Sequence, residues 1–164
     1  MKLASIARVG FLGILIIAVC GRAADTKGDS PETQVHAALR GFVQAFDNLD
    51  WPTFRACFAP DATMFHPAAP NTKRVDTREQ FDQAWQGVFD RIRKTSGRNA
   101  APYMQLHPEN LQITMLSPDV ALATFHIFNK AEIDRRTIVF KRYGDAWKIV
   151  HIHASNLSTG EAQP

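Results

Sequence analysis

The sequence predicts an α+β fold in which three helices of the N-terminal half pack on an antiparallel sheet. Two observations predict it. Apolar residues recur at three- and four-residue spacing before about residue 93, and turn-punctuated β-rich runs follow after residue 102. Helices grouped first and hairpins grouped last mark α+β rather than alternating α/β.

Each element has a local cause. Ser30-Pro31-Glu32 starts the first helix with a capping hydroxyl, a proline at the first helical position and an acid in the first turn. Val35, Leu39, Phe42, Val43, Phe46 and Leu49 then form one apolar face. Asp50-Trp51-Pro52 ends that helix and opens a short second one through Phe54 and Phe58, which Pro60-Asp61 stops. Ala62 to His66 alternates as a short strand, and Pro67 to Pro70 is a loop. Asp76-Thr77 starts a third helix with Phe81, Trp85, Val88, Phe89 and Ile92 on its apolar side. Lys94 to Pro102 is a polar loop. Strands are expected over Tyr103–Leu116, Val120–Asn129, Asp134–Tyr143 and Ala146–Leu157, separated by Ser117-Pro118-Asp119, Lys130 to Ile133 and Gly144-Asp145.

The chain has 164 residues, enough for one domain, and is 45% hydrophobic and 21% charged, which excludes a disordered or collagen-like chain. Residues 1–23 read as a signal peptide: Lys2 and Arg8, an apolar run from Val9 to Gly21, then Ala23 and Ala24 before Asp25. The run is short for a bilayer span; the alternative is an anchor that is never cut. Residues 24–30 read as a disordered linker, 31–158 as the domain and 159–164 as a polar tail. Cleavage after Ala23 leaves sixteen basic against sixteen acidic residues, so the mature chain is neutral and gives no support to nucleic-acid binding. The expected location is periplasmic or extracellular, with no membrane contact after cleavage. Cys20 leaves with the signal. Cys57, among Phe54, Ala56 and Phe58, reads as a structural thiol.

Two stretches carry a family resemblance. Phe46-Asp47-Asn48-Leu49-Asp50 through Phe58-Ala59-Pro60-Asp61-Ala62-Thr63 is similar to the helix–turn–"DAT" opening of the nuclear transport factor 2-like superfamily, which includes SnoaL-like and ketosteroid-isomerase-like proteins. Trp147-Lys148-Ile149-Val150-His151-Ile152-His153-Ala154-Ser155 resembles the closing strand of the calcium/calmodulin-dependent kinase association (hub) domain. The resemblance spans roughly residues 31–158. It implies a cone-shaped fold, a curved sheet wrapped on a long helix around one pocket, that dimerises through the outer sheet face. Fold alone does not give function. In ketosteroid isomerases the strand after "DAT" bears a catalytic Asp before a Pro; His66 stands there, before Pro67. The helix tyrosine falls on Phe42 and the oxyanion-hole acid near Ile138, so that isomerase activity is not expected. The hub domain's pocket arginines fall on Ile138 and Ala154, which cannot bind a carboxylate.

The resemblance therefore implies a mostly apolar pocket with Phe42, Phe46, His66, Phe81, Trp85, Ile138 and Ala154 as ligand-binding candidates. His66 has three readings: a general base, a hydrogen-bonding contact to a ligand, or a satisfied core histidine. Desolvation among Phe and Trp would lower its pKa. His151 and His153, two apart on a strand, point the same way and could chelate a metal. No spacing supplies a third ligand, so no metal is expected, and polar pairing on the outer face is the favoured reading. Arg136 and Arg142 share a side with Ile138 and Phe140, as a rim for anionic ligands or as solvated strand ends. No Ser–His–Asp constellation, phosphate loop or Gly-rich fingerprint is present, and no cofactor is implied.

On the last strand, Trp147, Ile149, His151 and His153 alternate with Val150, Ile152 and Ala154. Both faces are partly apolar, so both are expected to be covered: one by the helices, the other by a second subunit. The expected function is an exported, homodimeric domain binding a small apolar or carbonyl-containing molecule. The alternatives are a SnoaL-like proton-transfer enzyme of isomerase, cyclase or hydrolase type with His66 as base, and an assembly module.

Overall fold

The computed structural model describes residues 29–67, 73–129 and 132–158. The signal reading of 1–23, residues 24–28 of the 24–30 linker and the 159–164 tail lie outside the described residues. Among the described residues, no helix is long and apolar enough to cross a membrane.

Helix α1 (Pro31–Asp47) begins where Ser30 accepts the Thr33 amide through its side chain. Helix α2 (Trp51–Ala56) is capped in the same way by Asp50 on the Thr53 amide, and α3 (Arg78–Thr95) by Thr77 on the Gln80 amide. Among the described residues five strands follow the chain: β1 (Phe58–Phe65), β2 (Glu109–Ser117), β3 (Val120–Phe128), β4 (Glu132–Tyr143) and β5 (Ala146–Ser158). They form one curved, unclosed sheet in the order β1-β5-β4-β3-β2. Strands β2 to β5 form an antiparallel meander, and Gly144, with positive φ, closes its last hairpin. One pairing departs from the antiparallel expectation: β1 lies parallel to β5.

Two boundaries also differ from expectation. Phe58 to Asp61 belong to β1, not to α2. Pro60 reads as a helix stop, yet it sits on an edge strand in the irregular stretch between the Phe58–Ile149 and Thr63–His151 pairs, where no ladder donor is required. Tyr103 to Pro108 precede β2 rather than belonging to it. Their backbone is committed elsewhere: the Tyr103 and Met104 amides donate to the Asp47 carbonyl, and the Leu106 amide donates to the Asp47 carboxylate at 3.1 Å.

The core lies between the helices and the concave face of the sheet. Phe54 is fully buried and its ring meets those of Phe42, Phe46, Trp51, Phe58, Trp85 and Phe89 at centroid distances of 4.8 to 6.1 Å. Ala121, Ala123, Phe125, Ile138 and Phe140 meet this cluster from the sheet.

The last strand corrects the expected alternation. Val139 pairs with His151 but the next residue, Phe140, pairs with Ile149, so Val150 is an extra residue in β5. This bulge changes the strand's parity. Trp147 and Ile149 turn inward and are buried, as are Ile152 and Ala154 beyond the bulge. Only His151 and His153 of the expected outer set remain on the outer face.

Candidate functional site

A cavity of about 200 Å³ lies between α1, α3 and the strand ends of β1, β5 and β4. Apolar side chains such as Phe42, Phe46, Trp85, Val88 and Phe125 make most of its wall. Met104 and Leu106 close one side, held there by the bonds of their segment to Asp47.

Its polar groups, Arg91 of α3 apart, converge on three neighbouring strands. His66 follows the end of β1; Phe65 before it pairs with His153, which brings His66 beside Ala154 and Asn156 of β5. Ala154 pairs with Arg136 and Asn156 with Asp134 on β4. Asp134 and Arg136 lie 3.4 Å apart as an ion pair with side chains only 15% and 17% exposed. Arg136 Nη1 also donates to the carbonyls of Arg135 and Ser155 and to Asn156 Oδ1. Asn156 in turn donates to Glu132. Burial pushes the Asp134 carboxyl above its ordinary range, although Arg136 opposes this, and burial lowers Arg136. Desolvation thus outweighs the Coulomb attraction at both members of the pair. Asp134 Oδ1 and Trp85 Nε1 are buried without a hydrogen-bond partner among the described residues.

Of the seven residues expected on the pocket wall, five stand there: Phe42, Phe46, His66, Trp85 and Ala154. Phe81 and Ile138 do not. Both are fully buried in the core, Phe81 against Phe58 and Trp85 and Ile138 beneath the helices. Arg136 stands on the lining one inward step before Ile138 on β4. Its companion in the rim reading, Arg142, lies at the far end of that strand, donating to the Gly144 carbonyl. Asp134 and Asn156 were not foreseen. The alternation that marks Arg136 as inward also marks Asp134, two residues before it.

His151 and His153 face outward. His151 Nδ1 lies 2.7 Å from the Thr63 hydroxyl, and the Phe65 ring packs against both imidazoles. Burial lowers the His151 pKa, with His153 and Arg74 adding to the effect. Among the described residues, no three His, Cys, Asp or Glu side chains stand together as a metal site. Cys57 donates to the Thr53 carbonyl, and burial pushes its thiol up, away from the reactive thiolate.

The SnoaL-like domain family model matches residues 35–159. The chain belongs to the SnoaL-like family. No curated protein matches this SnoaL-like domain. Solved structures share its fold at low identity. An NTF2-like protein of unknown function from Pseudomonas putida is 20% identical with a TM-score of 0.62, covering 81% of this chain and 91% of that one. A candidate dehydratase of the NTF2-like family from Streptomyces avermitilis is 19% identical with a TM-score of 0.61, covering 77% and 95%. The association domain of C. elegans CaMKII is 15% identical with a TM-score of 0.58, covering 75% and 93%.

Proposed function

We propose that this SnoaL-like domain is an exported binding protein for one small, mostly apolar molecule held in the cavity between its helices and sheet. The observation that carries the reading is the distribution of polarity: apolar side chains from α1, α3, β1, β3, β5 and the Met104–Leu106 segment, with His66, Asp134, Arg136 and Asn156 gathered at the ends of β1, β5 and β4 and Arg91 on α3. Ligand sites are built this way, apolar for affinity and sparsely polar for orientation. His66 contacts the ligand's polar group from the end of β1.

The test is binding of 2-acetylnaphthalene, an apolar frame with one carbonyl, to wild type and His66→Phe, with melting temperature measured alongside. Binding by wild type should saturate. The variant should bind roughly 5- to 100-fold more weakly, the range for one lost hydrogen bond to a polar group, at an unchanged melting temperature. Equal affinity would remove His66 from the site, and a collapse in melting temperature would make it a core histidine.

The second reading is a proton-transfer enzyme with His66 as base on a carbonyl-containing ligand. The half-buried Asp134–Arg136 pair, on the same cavity lining as His66, favours it, as does the likeness to a candidate dehydratase. Chemistry would show as turnover falling far more than binding in His66→Phe. We further propose that the domain is a homodimer through its outer sheet face. That face carries Leu122 and Val139 half-buried and Phe65, Phe128 and Leu157 exposed, and an association domain is among its structural relatives.

A further inference from the structure

We infer that the ligand extends beyond the cavity. Its apolar body lies inside, and a neutral head ring bearing hydroxyls, as a sugar does, occupies a second hollow at the edge of the sheet where β1 ends. The inference rests on the cavity reading above and adds a subsite and the chemical class of the head.

The second hollow follows from strand lengths. β1 ends at Phe65, whose partner is His153, while β5 continues to Ser158. Among the described residues, no strand flanks β5 on this side beyond His153. Side chains alternate across a strand, so Ala154 and Asn156 face inward while His153 and Ser155 face outward. A cleft of about 330 Å³ lies at this gap and takes residues of both faces. Phe65, His66, Pro67, Ala154 and Asn156 line the cleft and the cavity alike, whereas His153 and Ser155 line the cleft alone. The two hollows therefore adjoin at His66, and one ligand can fill both. Their chemistry differs. The cavity is mostly apolar, while the cleft presents imidazole, hydroxyl and amide groups and, among the described residues, no Asp, Glu, Lys or Arg. A charged head would lose water there without gaining a counter-charge. An apolar head would take water from polar side chains and return no bond. Hydroxyls both donate and accept, as the imidazole and serine side chains do. Asn156 is already paired with Arg136 and Glu132, so the bonds to the head fall to His153 and Ser155. Phe65, 41% exposed, adds an apolar surface for the C–H face of the head ring.

The test compares four probes on one frame, at pH 8: 2-naphthol, which needs only the cavity; 2-naphthyl β-D-glucoside; 2-cyclohexyloxynaphthalene, whose ring is of similar size without hydroxyls; and 2-naphthyl phosphate. Wild type should bind the glucoside at least about tenfold more tightly than the cyclohexyl ether or the phosphate, as expected for two hydrogen bonds to neutral groups. His153→Ala should weaken the glucoside about tenfold and leave 2-naphthol unchanged, at an unchanged melting temperature. Ser155→Ala should act in the same way, and it carries the test if His153→Ala fails to fold. A glucoside no tighter than the cyclohexyl ether, while 2-naphthol saturates, overturns the inference and leaves the cavity reading standing. Tightest binding by the phosphate also overturns it, because the cleft then takes an anion. So does a folded variant that leaves the glucoside unaffected, or one that weakens 2-naphthol as much as the glucoside. Saturable binding by none of the four overturns the cavity reading and the inference together.

Discussion

His151 shows how one side chain can report on its surroundings. It keeps an imidazole nitrogen 2.7 Å from the Thr63 hydroxyl and lies under the Phe65 ring. Burial holds its pKa below the ordinary 6.5, and the neighbouring His153 and Arg74 push the same way. A base whose folded pKa is depressed contributes stability that is present above pH 6.5 and lost as pH falls through the folded value. The melting temperature of wild type should therefore drop between pH 7.5 and pH 5 by more than that of His151→Gln. Parallel curves would show that His151 does not titrate differently in the folded state. Asp134 and Asp47 carry the opposite sign, because burial raises both. The difference between wild type and variant isolates the histidine from them. At this scale the sequence was informative about residue type and poor about company. His66 before Pro67 and the inward Arg136 could be read from one strand each. The Asp134–Arg136–Asn156 cluster joins two strands and depends on their register, which no local pattern specifies.

At the scale of elements, the segment from Tyr103 to Leu106 has no regular structure of its own, yet it forms one wall of the cavity. Asp47, the last residue of α1, holds it with its carbonyl on two amides and its carboxylate on the Leu106 amide. Asp47→Ala should cost about 1 kcal/mol of stability, the usual worth of such a bond. It should also speed hydrogen exchange at the Leu106 amide and weaken binding of 2-acetylnaphthalene. Unchanged exchange at Leu106 would mean that packing of Met104 and Leu106, not Asp47, positions the wall. Helices were the legible elements, because capping residues and apolar spacing are local: Ser30, Asp50 and Thr77 each cap where their side chains indicate. The strands were harder for a physical reason. A single extra residue at Val150 inverts the facing of everything before it, and alternation alone cannot reveal an insertion. Trp147 and Ile149 were therefore expected outside and stand inside, beneath the helices. Pro60 misled in the same way, since a proline that ends a helix is equally at home on an edge strand.

For the whole molecule, the corrected facing narrows the basis of the dimer reading without removing it. The outer face no longer presents Trp147 and Ile149. It still presents a row from Thr63 through His151, Val139 and Leu122 to Thr114, flanked by exposed Phe65 and Phe128. Native mass spectrometry of the exported protein reads two proposals at once. It should give a dimer of chains that begin at Ala24 or Asp25, and Val139→Lys should shift it to monomer. A wild-type monomer would contradict the dimer, and a chain still beginning at Met1 would contradict removal of the signal. The central claim, a cavity that takes up a small apolar molecule, is tested most directly by following the indole N–H resonances during titration with 2-naphthol. The three tryptophans occupy different places. Trp85 lines the cavity with its N–H unpaired among the described residues, Trp147 is buried with its N–H on Gln34, and Trp51 packs against Phe54 and Phe89. The Trp85 resonance should move and saturate at one ligand per chain while that of Trp147 stays in place. A Trp85 resonance that never moves, or three resonances that drift together without saturation, would contradict the account.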